Sequence, residues 1–341
     1  MTTTRTLGRS GIEVSALGLG CWAIGGPWTF LGSPGGWSTV DDDESVRALR
    51  RAHELGVTFF DTAANYGAGH SERVLGRAFA KNRKGVVLAT KFGYRVDEAQ
   101  REVFEYSASD YDDAARLAAR VRSELTASLR RLGTDYLDVY QLHVGDLSPD
   151  RALHLVDVMG DLVREGTIRT WGWSTDNTDG IQALATADGF SVAQHGLSVL
   201  GYEDPAMLTL LDKFDLAGVN RSPLAMGALT GKFTPSTTFA DDDQRRRASW
   251  HPAFASGHPT REWLEKLDAV RDVLTSNGRT LAQGALAWIW GRSPRTVPIP
   301  GFKSVAQVED NCGALAKGPL TPQQMDEITA IVAAGSPHPG T

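Results

Sequence analysis

Residues 121–174 carry the reading that decides the fold. Val121, Leu125, Leu129 and Leu132 recur at i, i+4, i+8 and i+11, the spacing of a helix with one buried face. The run Leu137-Asp138-Val139-Tyr140-Gln141-Leu142-His143 follows, and after it Ile168-Arg169-Thr170-Trp171-Gly172-Trp173-Ser174. Both runs are short, largely apolar and rich in strand-forming residues. Strands that alternate with helices imply parallel βαβ units.

The same alternation continues in both directions. Before this stretch come Leu17–Gly20, Val57–Asp61 and Val86–Lys91, and after it Ser191–Gln194, Leu216–Ser222 and Thr296–Pro300. Between the first two of these, Val46, Leu49 and His53 fall at i, i+3 and i+7 on one helical face. Eight such units predict an α/β protein of the (β/α)₈ TIM-barrel type, with an open doubly wound sheet as the alternative. Thr6-Leu7-Gly8 and Ile12-Glu13-Val14 flank a Ser10-Gly11 turn and predict an N-terminal β-hairpin capping the barrel bottom. Pro27, Gly35 and Gly36 mark residues 25–37 as loop. The strand ends Lys91 and His143 lie 52 residues apart, and Ser222 and Pro300 lie 78 apart. Long loops are therefore expected after strands three and seven, Gly93–Asp113 and Phe233–Thr260, as functional lids or poorly ordered segments. The charge run Asp241–Arg247 reads as a solvated turn. An amphipathic helix is expected from beyond Thr321 to about Ala334, with a Pro/Gly-rich tail, Gly335–Thr341, that frays.

The 341 residues are 41% apolar and 22% charged, a soluble globular balance that suits one barrel domain. A net charge of −6 gives no support to a nucleic acid or an anionic membrane as partner. The two cysteines, Cys21 and Cys312, form no CxxC, so neither a disulfide scaffold nor a metal site is expected. Met1–Arg5 lacks the apolar region of a signal peptide and no run is long enough to span a membrane, which makes the cytoplasm the expected location.

Asp61, Lys91, His143, Ser174, Gln194 and Ser222 each close an apolar strand. In a barrel these ends converge on one face, where active sites are built. Polar residues end strands in any protein because loops are wet. An Asp, a Lys and a His together, with Tyr66 just beyond, ask for more. An ammonium beside a phenol stabilises the phenolate and lowers the phenol pKa. A carboxylate holds the ammonium charged, and a neutral imidazole can fix a carbonyl oxygen. Such a set suits proton transfer at an alcohol or carbonyl oxygen. It lacks a nucleophile with an adjacent base. Gly18-Leu19-Gly20-Cys21-Trp22-Ala23 fits GxGxxA, but loop rather than helix follows, so Gly18 and Gly20 read as packing and turn positions. Phosphate groups are expected instead at Ser222–Lys232 and at Gly301-Phe302-Lys303-Ser304, which opens a helix.

Phe60–Gly67, Ser71-Glu72, Leu75-Gly76, Leu129–His143, Gly166–Ser174, Ser222-Pro223-Leu224 and Gly301–Asn311 together resemble the aldo-keto reductases, over nearly the whole chain. The resemblance implies a barrel that uses NADPH/NADP⁺, and a catalytic tetrad of Asp61, Tyr66, Lys91 and His143. Tyr66 would give the proton and His143 would orient the substrate oxygen. Ser174 and Gln194 match positions that bind the nicotinamide carboxamide, and Gln307 and Asn311 match adenine contacts. Lys303 matches a position suited to a 2′-phosphate. Gly20, Trp22, Pro223, Leu224, Gly227, Lys232, Gly301 and Ser304 complete the expected cofactor set. Two positions depart from the family pattern: Thr175 replaces a common Asn, and Leu197 stands at the position read as that of a ring-stacking Tyr. Trp22, Trp28, Phe92 and Tyr94, with Tyr66 and His143, are expected to wall the substrate pocket. The implied activity is reduction of an aldehyde or ketone, sugar-like carbonyls included. The alternative is an NADP(H)-sensing barrel with little turnover.

Overall fold

The computed structural model of the protein describes residues 3–334. Its centre is eight parallel strands: β1 (Gly18–Gly20), β2 (Phe59–Asp61), β3 (Val87–Phe92), β4 (Leu137–Leu142), β5 (Ile168–Ser174), β6 (Phe190–Gly196), β7 (Ala217–Arg221) and β8 (Thr296–Pro298). They pair in chain order. The Gly20 N–H donates to the Pro300 carbonyl at 3.0 Å, and a parallel bridge joins Gly20 to Gly301, so the last strand returns to the first. Helices α1 (Asp42–Glu54), α2 (His70–Phe79), α3 (Ala114–Leu132), α4 (Val156–Arg164), α5 (Thr178–Leu184), α6 (Pro205–Phe214), α7 (Leu281–Arg292) and α8 (Val305–Lys317) surround it. This is the expected (β/α)₈ barrel. Gly20 is glycine because a Cβ there would lie 2.8 Å from the Ile299 carbonyl at the closing seam.

Alternation along the strands sorts the side chains. Phe59, Val87, Ala89, Val139, Val192, Ala217, Val219 and Val297 turn inward into one cluster, as a period of two dictates. Phe60, Leu88, Tyr140, Leu142, Trp171 and Trp173 turn outward and pack with the helices in a second, larger cluster. Strands Thr4–Thr6 and Glu13–Ser15 pair as the expected hairpin. It inserts Leu7, Ile12 and Val14 into the inner cluster. A two-stranded hairpin alone is marginal in water, and burying these three side chains, at about 1.5–3 kcal/mol each, is what holds it.

Four details differ from the sequence reading. His53 is only partly buried and contacts the Val57 carbonyl, so the core face of α1 is Ser45, Val46, Ala48, Leu49 and Ala52. Residues 25–37 are not all loop. Thr29–Phe30 and Ser33–Pro34 form a small hairpin. It joins the ribbon Tyr94–Asp97/Glu102–Glu105 in a four-stranded sheet. The insertion after β3 is thereby a folded wall. The charge run after β7 is solvated only in part: Asp241, Asp242, Arg246 and Arg247 are exposed, whereas Asp243 is buried and Arg245 turns inward. Arg245 pairs with Asp243 at 2.5 Å and lies over the rings of Trp37, Phe233 and Phe239. Pro322–Ala334 is helical as expected; the tail 335–341 lies outside the described residues.

Glu124 on α3 anchors the β3 loop by accepting the Gly93 N–H at 2.9 Å. Burial pushes its carboxyl up to about 7. The folded chain therefore binds the extra proton, and this contribution to stability falls as pH rises from the usual carboxylate range through about 7. Glu124→Gln is expected to raise stability by roughly 1–3 kcal/mol at about pH 8 and to change it little at about pH 5, measured by urea unfolding.

Candidate active site

The inner rows of the strands change character at their C-terminal ends. Asp61 on β2, Lys91 on β3, Gln141 on β4 and Gln194 on β6 follow the apolar layer and form a buried polar one. The Lys91 Nζ donates to Asp61 Oδ1 at 2.5 Å, to the Thr62 carbonyl at 2.8 Å and to Tyr66 Oη at 3.3 Å. Asp61 Oδ2 accepts from Gln141 Nε2 at 3.1 Å and from Gln194 Nε2 at 2.8 Å. The carboxylate is thus saturated by one cation and two amides. A buried ion pair is tolerable only when its remaining hydrogen-bonding capacity is filled in this way.

Burial pulls the Lys91 pKa down more than any single neighbour raises it, but the charge and hydrogen bond of Asp61 together with those of the Tyr66 oxygen outweigh it, and the net shift is upward. Burial also raises the Tyr66 phenol. The Lys91 charge pulls it back only in part, so the net shift is upward. Lys91 acts in the expected direction, but the net shift is the reverse of the expected one because loss of water around the phenolate is the larger effect. Burial first, then the charges of Lys91 and Arg221, hold His143 well below the usual histidine value. Its imidazole is neutral near pH 7. His143 Nδ1 is buried without a partner, so Nε2 is the nitrogen left to serve the cleft.

Tyr66 is held by the loop that follows β2. Gly67 adopts a left-handed φ of 65° and passes against Gly25, whose carbonyl a Cβ would strike; only glycine suits such an approach. The Tyr66 ring lies 6.3 Å from that of Trp22 and 5.7 Å from His143. Ser71 and Glu72 brace the same region from α2. Ser71 Oγ donates to the Cys21 carbonyl at 2.7 Å, and Glu72 pairs with Arg131 at 2.5 Å while accepting from Thr90 Oγ1 at 2.6 Å.

Tyr66 and His143 open into a cleft of about 1160 Å³, larger than the usual range for drug-sized ligands. Trp22, Trp28, Phe30, Tyr94 and Trp250 are the aromatic part of its lining together with Trp37, Tyr66 and Phe302. Trp28, Phe30, Tyr94 and His143 run ring to ring at 6.4, 5.8 and 5.6 Å. Gly20, Ser174, Thr175, Gln194, Ser222, Pro223, Leu224, Gly227, Lys232, Gly301, Lys303, Gln307 and Asn311 also line it. Ser174 Oγ donates to Gln194 Oε1 at 3.3 Å. Thr175 lines the wall, but its hydroxyl is engaged by the Gly145 carbonyl and the Asn177 N–H. Arg245 from the second insertion joins Lys232 and Lys303 at one end. Burial, with the Arg245 charge a smaller cause, lowers the pKa of both lysines against the opposing pull of Asp243. Three crowded cations that share Asp243 are a fit for phosphate groups.

Three expected residues stand apart from the cleft. Leu197 is fully buried in the outer core, with its N–H on the Arg221 carbonyl; the cleft residue at this end of the strands is Arg221. Phe92 points outward and packs on Tyr140 at 4.6 Å. Ser304 caps α8 by accepting the Gln307 N–H. Sequence reasoning missed Gln141, Arg221, Arg245 and Trp37. Gln141 and Arg221 were accessible to it, since each continues an inward row by two residues past Val139 and Val219. Among the described residues no cluster of three potential metal ligands occurs, and no helix is long and apolar enough to cross a membrane.

Comparison with known proteins agrees with this geometry. The family model of the Aldo/keto reductase family matches residues 16–333. Aldo-keto reductase YhdN of Bacillus subtilis is 31% identical over 88% of this chain and 85% of its own. The chain belongs to the aldo/keto reductase family. Among solved structures, the glycerol dehydrogenase AKR11B4 of Gluconobacter oxydans is 27% identical, with a TM-score of 0.81 over 99% of this chain and 98% of its own. An aldo-keto reductase of Klebsiella pneumoniae in complex with NADPH is 26% identical, with a TM-score of 0.69 over 100% and 98%.

The buried pair makes a stability prediction. Asp61→Asn strands the Lys91 charge and is expected to destabilise by about 3–5 kcal/mol. Adding Lys91→Met to it should restore a large part, read by chemical denaturation of the single and double variants.

Proposed function

We propose that this chain reduces an aldehyde or ketone to the alcohol with NADPH, and that Tyr66 is the proton donor. The observation that carries the reading is the chain of contacts from Asp61 through Lys91 to Tyr66 Oη, which ends beside a neutral His143 in a cleft large enough for a dinucleotide and a small substrate. The Klebsiella pneumoniae relative in complex with NADPH supports the choice of cofactor.

Lys232, Lys303 and Arg245 would hold the phosphates, with Lys303 toward the 2′-phosphate. Gln307 and Asn311 would take the adenine end, and Ser174 and Gln194 the carboxamide. When bound, NADPH supplies the hydride. His143 Nε2 would orient the substrate oxygen. As the carbonyl carbon gains the hydride, the C=O π pair moves to oxygen, and the Tyr66 O–H proton passes to it. Lys91 stabilises the phenolate left behind, and a solvent proton restores the phenol. A raised phenol pKa keeps the donor protonated throughout the neutral range. The aromatic part of the cleft lining offers flat faces to apolar groups or to the apolar face of a sugar.

Tyr66→Phe is expected to bind NADPH as tightly as the parent and to lose reduction by about 10²-fold or more, read at 340 nm with a panel of aldehydes, ketones and keto-sugars. Turnover by that variant at the parental rate would refute the donor assignment. Lys303→Met should weaken NADPH by roughly 10–100-fold and NADH far less, by fluorescence titration. The pH profile of kcat/KM for reduction should be flat through neutrality and fall only above the ordinary phenol value of about 10. The donor is lost as pH rises through its folded pKa.

A further inference from the structure

The end of β7 carries a cation that the proton-transfer scheme does not use. Arg221 lies level with Gly196 on β6. That is one inward position beyond the level at which Ser174, Gln194 and Val219 are paired across β5, β6 and β7. Below it on β7, Ala217 and Val219 turn into the barrel. Arg221 continues that row and lines the cleft.

Its guanidinium is tethered. It pairs with Asp176, whose other oxygen accepts the Gly196 N–H at 2.8 Å, and it lies over the Tyr202 ring at 5.7 Å. Only a third of its side chain is exposed. The Arg221 charge acts on both Tyr66 and His143. The cation thus stands on the cleft wall with Tyr66 and His143, and its carboxylate partner Asp176 lines the same wall beside it.

The two forms of a nicotinamide differ in charge at the ring. The oxidised ring is a cation and the reduced ring is neutral. A fixed guanidinium opposes the first through like-charge repulsion and offers the second a flat, weakly hydrated face. A tyrosine there would instead attract the oxidised ring through its quadrupole. We propose that Arg221, positioned by Asp176, makes the protein discriminate between oxidation states of its dinucleotide, holding the reduced form and rejecting the oxidised one. The inference rests on the reading in which Ser174 and Gln194 receive the carboxamide.

The test is equilibrium binding, with no turnover involved. Tryptophan fluorescence of the full chain is titrated with NADPH, with NADP⁺ and with adenosine 2′,5′-bisphosphate, which has no nicotinamide. The parent should bind NADPH at least about tenfold more tightly than NADP⁺. Arg221→Leu should reduce that ratio by about tenfold, chiefly through tighter NADP⁺. Its affinity for the bisphosphate should be unchanged. Arg221→Lys, which retains the charge, should keep most of the ratio and serves as the test if the leucine variant does not fold. Equal changes in both dinucleotide affinities, or an unchanged ratio, would overturn the proposal and leave Arg221 a wall residue. A parent that binds the bisphosphate but neither dinucleotide more tightly would instead overturn the carboxamide assignment, and one that binds none of the three would overturn the reductase reading itself.

Discussion

The contact on which the site depends is the ion pair between Lys91 and Asp61 inside the barrel mouth. Two charges so placed cannot be left to water, and the surrounding strands supply what water would have given. Gln141 and Gln194 reach Asp61 from β4 and β6, and the Thr62 carbonyl takes a second Lys91 proton. Four strand ends are therefore fixed relative to one another by a single carboxylate. Tyr66 inherits its place from that arrangement, because its oxygen is the remaining acceptor within reach of Lys91. The amide chain continues outward, from Gln141 to Gln194 to Ser174. One electrostatic requirement thus orders groups from the barrel axis to the cleft wall.

That layer was legible in the sequence to the extent that it obeys a period of two. Phe59 and Asp61, Ala89 and Lys91, and Val192 and Gln194 are each inward neighbours on one strand. The polar residue of each pair marks where the apolar plug stops. Reading the ends of strands as a set found Asp61, Lys91, His143, Ser174 and Gln194. Reading only the ends also hid Gln141, which lies one residue short of the end of β4, and Arg221, which lies one residue before the chosen Ser222. The phenol pKa was misjudged because a sequence shows the neighbouring charge but not the water that burial removes.

The loops were less legible, for a different reason. Their conformations are decided by partners distant in sequence. Thr29–Phe30 becomes a strand because Glu102–Glu105 lies beside it, and neither segment has enough pattern to show this alone. Arg245 leaves a highly charged run to cover Trp37, some two hundred residues earlier. Local polarity predicts solvent for such a residue, and only the folded geometry shows its guanidinium over three aromatic rings. Leu197 illustrates the converse: a position chosen by counting from Gln194 has the parity of an outward residue, and its side chain is buried in the outer core while its N–H still pairs with the end of β7.

The N-terminal hairpin has a consequence for traffic through the molecule. Leu7, Ile12 and Val14 stopper the barrel from below, and among the described residues the cleft is the opening that reaches Tyr66. In the proposed reaction, the proton that recharges the phenol must enter by the same door through which the alcohol leaves. Product that lingers would also delay recharging. Departure and recovery are then one event rather than two, and the barrel works as a vessel with a single neck.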